Sequence, residues 1–157
     1  MTTAATETFD RVLANLELFD DWQERYRYII DLGSRLPEME PADKTDANQV
    51  HGCQSTVWMK AWLNSDNGEP LIEFTADSDS HIVKGLLAIL HAAYDRQRPC
   101  DIREFDVEAR LAELDLQGHL SPTRQNGLHE MVRRIKALAC EHCPTDDCPD
   151  DHCEPLD

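Results

Sequence analysis

From Thr56 to Ala76 the apolar residues recur at every second position, pause at one Asn-Gly pair, and then alternate again. Val57, Met59, Ala61 and Leu63 share one face of an extended segment, while Thr56, Trp58, Lys60 and Trp62 share the other. Asn67-Gly68 is a hairpin signal, and Ile72, Phe74 and Ala76 alternate on the return. A repeat of two belongs to strands, so this region predicts an antiparallel pair.

On either side the period changes to that of a helix. Residues 7 to 18 and 21 to 32 read as amphipathic helices, the second carrying Trp22, Tyr26, Ile29 and Ile30 on one stripe, with Gly33 as its stop. Residues 36 to 48, with Pro37 and Pro41, read as an exposed loop that leads to Val50, His51, Gly52 and Cys53. After the hairpin, Asp77, Ser78, Asp79 and Ser80 offer N-capping side chains to a helix whose stripe is Ile82, Val83, Leu86, Leu87, Ile89, Leu90 and Ala93. Ser121-Pro122 caps another, carrying Leu128, Met131, Val132, Ile135 and Leu138 and ending near Cys140. The order helix, helix, strand, strand, helix, helix predicts an α+β domain with helices packed on a small antiparallel sheet. The 157 residues suit one such domain, expected over 1–139, with 140–157 as an acidic Cys/His-rich appendage.

Charge narrows the partners. The formal net charge is −16, and seven of the 31 acids lie in residues 141–157, where there is no Lys or Arg. Such a chain repels phosphate backbones and anionic membrane surfaces, so neither nucleic acid nor membrane is an expected partner. Residues 1–9 contain no basic residue and no apolar run, so they read as neither a secretory signal nor a transit peptide. No stretch approaches the roughly 20 apolar residues that span a bilayer. The expected location is the cytoplasm, where thiols stay reduced, and there six cysteines suggest reactivity or metal binding before disulfides.

Cys53 follows Gly52 at the tip of a loop that feeds a strand, which lets its backbone approach another molecule. Two readings are open from the residues alone: a small buried apolar side chain, or a thiolate nucleophile presented to a partner. A cysteine phosphatase loop is disfavoured because Met59, not Arg, stands six positions after Cys53. The only Cys-x2-Cys pair lies in the tail, which disfavours thioredoxin-like redox work. Trp58 and Trp62 are expected in sheet-to-helix packing, and Cys100, between Pro99 and Asp101, is expected to begin a helix in a structural role.

The run Val50-His51-Gly52-Cys53-Gln54-Ser55-Thr56-Val57-Trp58 resembles the active-site signature of the SufE family of sulfur acceptors. Similar segments occur in family order over roughly residues 9 to 139. They include Asp21 to Tyr26, Tyr28 to Gly33, Leu36-Pro37, Asp77-Ser78-Asp79, Ile82 to Leu86, His119 to Arg124 and Gly127-Leu128. The resemblance implies a SufE/IscU-like single domain in which Cys53 takes persulfide sulfur from a pyridoxal-phosphate-dependent cysteine desulfurase of the SufS type. It implies further that the protein stimulates that enzyme, passes the sulfur to an iron–sulfur assembly scaffold, and needs no cofactor of its own. Asp79 and Arg124 match positions associated with the loop region and partner docking. Each also has a plainer reading, Asp79 as a helix N-cap and Arg124 as first-turn surface charge. His51 is a passive side chain or an electrostatic partner of the thiol, and Gln54 and Ser55 hold the loop or donate hydrogen bonds to a thiolate.

The tail departs from that pattern. Cys140, Cys143, Cys148 and Cys153, with His142 and His152, hold enough soft ligands for a tetrahedral zinc site, though only four residues separate the two cysteine pairs. Metal binding, a redox or sulfur-relay role and a solvated appendage all remain open. The competing function is an iron–sulfur or metal scaffold or regulatory protein that works through this tail. Against it, the domain itself has only Cys53 and Cys100 before Cys140, where a scaffold gathers about three cysteines and a histidine or acid.

Overall fold

The structure, a computed structural model, describes residues 8–51, 55–66 and 68–141. In chain order the elements are α1 (Phe9–Leu18), α2 (Trp22–Ser34), β1 (Val57–Asp66), β2 (Glu69–Ser78), α3 (His81–Tyr94), α4 (Pro99–Glu104), α5 (Val107–Ala112) and α6 (Pro122–Glu141). Short 3-10 turns at Pro41–Asp43, Asp46–Asn48 and Gln117–His119 punctuate the connections. The architecture is α+β, with helices packed on a two-stranded antiparallel sheet.

The hairpin forms in the register its alternation demands, from Val57 opposite Ser78 to Asp66 opposite Glu69. Gly68 turns the chain at φ +85, a conformation in which a Cβ would be strained. Val57, Met59, Ile72, Phe74 and Ala76 are buried, as the period of two requires, and β2 packs against α3. The pattern fades toward the turn, where Leu63 is 41% exposed. Trp62, expected in the core, is 38% exposed, and Trp58 is half-buried with the Lys44 ammonium 5.4 Å from its ring centroid. The reason is coverage. Near Trp58 the strand is joined by the 36–49 loop, through the bridge between Gln49 and Trp58, whereas Trp62 and Leu63 farther along are exposed.

α3 is the centre of the core. Its stripe of Val83, Leu86, Leu87, Ile89, Leu90 and Ala93 is buried, and it packs against β2, α1, α2 and α6. Each fully buried Leu or Ile contributes about 2 kcal/mol relative to exposure, so this helix holds the layers together. Every long helix begins on a side-chain cap. Thr8, Asp21, Ser80 and Ser121 accept from the amides of Arg11, Glu24, Val83 and Arg124, and Asp106 caps the short α5 through Ala109. Gly33, expected to stop α2, instead lies within it: α2 and α3 cross so closely that a Cβ there would sit 2.6 Å from the Gly85 amide nitrogen.

Beyond α3 the chain turns back onto the sheet. Ile72 donates to the Gln97 carbonyl at 2.8 Å and accepts from the Arg96 amide at 2.7 Å, while Asp95 Oδ1 accepts from the Phe74 amide. Burial raises the Asp95 carboxyl pKa, against the opposing pull of His91 and the Phe74 amide. Tyr94 is fully buried with its hydroxyl donating to the Phe105 carbonyl at 2.9 Å, and burial pushes that phenol upward too. α4 and α5 follow, with Ile102, Val107 and Leu111 buried. Cys100 does open a helix, but α5 has no counterpart in the periodic reading, because six residues offer too few turns for a stripe.

Candidate functional site

The Val50 amide donates to the Val57 carbonyl at 2.8 Å, closing the base of the connection that runs from His51 to Thr56. A second pair of bonds holds its downstream end. Thr56 N–H donates to Asp79 Oδ1 at 3.2 Å, and Asp79 N–H donates back to the Thr56 carbonyl at 3.3 Å. The connection is therefore fixed to the entrance of α3 by one residue acting through both backbone and side chain. Cys53 is near the centre of the connection in sequence, and Gly52, Cys53 and Gln54 lie outside the described residues. His51 is exposed in a turn.

Asp79 does not cap α3. Ser80, one residue on, does so, and its Oγ also faces Arg124 Nη1 at 3.5 Å. Arg124 is half-buried in the first turn of α6, so it joins the starts of α3 and α6 and is more than a solvated surface charge. Asp79→Ala is expected to leave the fold intact and to weaken the clasp by about 1 kcal/mol, a neutral-to-charged hydrogen bond at an exposed site. Amide hydrogen exchange at Thr56 reads this as about fivefold lost protection.

Between these helix starts is a narrow cleft with about 20 Å³ of free volume. Val83 and Leu86 of α3 and Leu128 and Met131 of α6 line it, with Ser55, Thr123, Arg124 and Gly127. That space admits about one atom of water's size, and most of its wall offers no hydrogen bond. Ser55 lines the cleft and is separated from Cys53 by one residue. Sequence reasoning missed the cleft because Met131 and Leu128 belong to the apolar stripe of α6, which reads as core.

A second clamp steadies the approach to the connection. Asp77 accepts from the Lys44 ammonium at 2.7 Å and from the Ser78 amide at 2.8 Å, with Lys84 at 3.5 Å. Burial alone would raise its pKa, but the Lys44 hydrogen bond, the Ser78 amide and the charges of Lys84 and Lys44 outweigh that and lower it below the ordinary 3.8. A lowered carboxyl contributes stability that is present above the unfolded-state pKa and lost as pH falls through the folded one. Asp77→Asn is therefore expected to cost about 1 kcal/mol at pH 7, since both lysines are partly solvated. The gap from wild type should close in denaturant titrations run below pH 3.8. Asp77 was legible in the sequence as one of four capping candidates and as part of a segment that resembles the family, not as an ion-pair partner, and Lys44 gave no signal.

Among the described residues no group of three or more His, Cys, Asp or Glu could hold a metal ion. Cys140 lies half-buried in the last turn of α6 with a reduced thiol. Cys143, Cys148 and Cys153, the other expected zinc ligands, lie outside the described residues. Cys100 is disulfide-bonded. No helix among the described residues is long and apolar enough to cross a membrane.

The family described as "SufE: Fe-S metabolism associated domain" matches residues 10–139. An uncharacterized SufE-like protein of Rhizobium meliloti (strain 1021) is 40% identical over 132 residues, covering 84% of this chain and 94% of its own. The solution structure of a hypothetical protein from Thermus thermophilus superposes with a TM-score of 0.67 at 16% identity, covering 85% of this chain and 93% of that one. At that identity the likeness is one of fold.

Proposed function

Because the chain belongs to the SufE family, whose domain is associated with Fe–S metabolism, we propose that it is a sulfur acceptor in which Cys53 takes sulfur from a cysteine desulfurase. The observation that supports this most is that Ser55, two residues after Cys53, lines the small cleft between α3 and α6, while Thr56 is held to Asp79 at the entrance of α3. A carrier thiol needs both parts: a connection short enough to be handed to a partner, and a dry recess for one added sulfur.

The chemistry is a thiol exchange. The Cys53 thiolate attacks the outer sulfur of the donor's persulfide, a new S–S bond forms at Cys53, and the donor's own S–S bond breaks. The donor leaves as a thiolate and takes up a proton, ready for another turnover. No electrons leave the pair of proteins, so the chain needs no cofactor for this step; pyridoxal phosphate belongs to the desulfurase. Within the connection, Gly52 gives access, while Gln54 and Ser55 supply hydrogen-bond donors that can steady the thiolate. Asp79 and Arg124 border the docking face, and His51 flanks it. The apolar cleft limits water and oxidant at the persulfide. The recipient is an iron–sulfur assembly scaffold, and the setting is the cytoplasm.

The test is desulfurase turnover with cysteine as the only sulfur source and no added reductant. Adding the full chain is expected to raise alanine release severalfold by clearing the enzyme's persulfide. An unchanged rate across a titration to excess would overturn the proposal.

A further inference from the structure

We propose that the groove between the start of α1, the end of α3 and the α4 and α5 segment is a second binding site. Its ligand is a small organic cation, a protonated amine carried on an apolar body. The free volume of the groove is about 740 Å³, within the roughly 300–1,000 Å³ that small-molecule sites occupy. It lies at the C-terminal end of α3, whereas the narrow cleft lined by Ser55 and Val83 lies at the start of that helix. The 14 residues of α3 put about 21 Å between the two ends at 1.5 Å per residue. The groove is therefore separate from the sulfur-handling cleft, and the inference does not rest on that reading.

The apolar body has an aromatic wall to lie on. Phe9, at the start of α1, meets Phe105 edge to face at 5.5 Å between ring centroids, and Tyr94 meets Phe105 at 5.8 Å. All three line the groove, with the buried Ile102. The Tyr94 hydroxyl is engaged by the Phe105 carbonyl, so this wall offers rings and no free donor. The Arg110 guanidinium already stands 5.7 Å from the Phe9 ring centroid, an example within the groove of a cation on an aromatic face.

The sign of the ligand's charge follows from what the lining leaves unbalanced. Four carboxylates, Asp10, Asp95, Asp101 and Glu104, face two guanidiniums, Arg96 and Arg110. Arg110 stands 3.6 Å from Asp10, Arg96 is bonded to Glu73, and Asp101 is bonded to Arg98 at 3.2 Å. Asp95 and Glu104 are left without an Arg or Lys ion pair among the described residues. Asp95 Oδ1 accepts from the Phe74 amide at 3.1 Å, and its Oδ2 stands 3.5 Å from Nε2 of His91. His91 also lines the groove and is only 8% exposed. Since 3.5 Å is longer than a normal hydrogen bond, Asp95 keeps acceptor capacity for a further donor. The last turn of α3 adds partial negative charge of the same sign, because Ala92, Ala93 and Tyr94 belong to the lining. Burial disfavours the ionised Asp95, and an ammonium beside it compensates that penalty. A neutral or anionic molecule of the same shape does not.

The experiment is an amide NMR titration of the full chain with three indoles of similar shape: tryptamine, which is cationic, tryptophol, which is neutral, and indoleacetate, which is anionic. It is run at physiological salt, where long-range attraction to an acidic protein is screened. Tryptamine is expected to shift the amides of Phe9, Asp95, Gln97 and Phe105 along one saturable curve. Tryptophol should bind about tenfold more weakly, and indoleacetate should cause no saturable shift. Glu104→Gln, at an exposed position, should weaken tryptamine about threefold. Asp95→Asn, whose side-chain oxygen can still accept from Phe74, should weaken it about tenfold. Tryptophol binding as tightly as tryptamine, tryptamine shifts that never saturate or that spread over the whole acidic surface, or an affinity unchanged by Glu104→Gln would overturn the proposal.

Discussion

Replacing Gly85 by alanine is expected to destabilise the protein by about 3 kcal/mol, the upper part of the range for overpacking a filled interior. A Cβ at this position would stand 2.3 Å from the Ile29 carbonyl oxygen and 2.5 Å from Ile29 Cγ2. One of the obstructing atoms is backbone, so no rotamer change relieves the contact, and α2 must move off α3. Gly33 faces the same crossing from the other helix, with its would-be Cβ 2.6 Å from the Gly85 nitrogen. Gly33→Ala should therefore cost a similar amount, and the double variant clearly less than the sum, because once the helices have separated the second methyl meets little. Urea denaturation of the two single variants and the double variant measures this. Additive losses would mean that the two glycines do not share one contact.

Replacing Cys53 by serine is expected to return desulfurase turnover to the rate of the enzyme alone. Serine keeps the size of the side chain but not its chemistry: the hydroxyl is essentially un-ionised at neutral pH, and an oxygen cannot hold a sulfane sulfur reversibly. Thermal melts of the variant separate this loss from a folding defect, since turnover should fall while the transition stays cooperative. Stimulation that survives in Cys53→Ser would place the acceptor elsewhere in the chain, with the tail cysteines the next to examine.

The hairpin was legible because β1 and β2 bury one face and a period of two admits few alternatives; Val57, Met59, Ile72, Phe74 and Ala76 went where alternation put them. The long helices were legible from stripe and cap together, as at Ser121-Pro122 before α6. Gly33 was misread because a glycine after a stripe usually ends a helix, whereas here it answers a crossing partner 52 residues later that no local pattern reveals. Trp62 was misplaced for a related reason: alternation tells which face a residue shares, not whether anything covers that face. At the candidate site, Ser55, Asp79 and Arg124 were named from the resemblance, and the structure brings Asp79 to Thr56 and Arg124 to Ser80 around one helix entrance. The Lys44–Asp77–Lys84 clamp and the cleft wall were not legible, since each joins residues distant in sequence whose individual patterns look ordinary.

The central claim is that sulfur resides on Cys53, and mass spectrometry of the chain after incubation with a pyridoxal-phosphate cysteine desulfurase and cysteine tests it most directly. The account predicts one added sulfur on the peptide containing Cys53, removed by reductant and absent from Cys53→Ser. Added sulfur confined to peptides containing Cys140, Cys143, Cys148 or Cys153, or found nowhere under conditions in which the desulfurase itself carries persulfide, would contradict it.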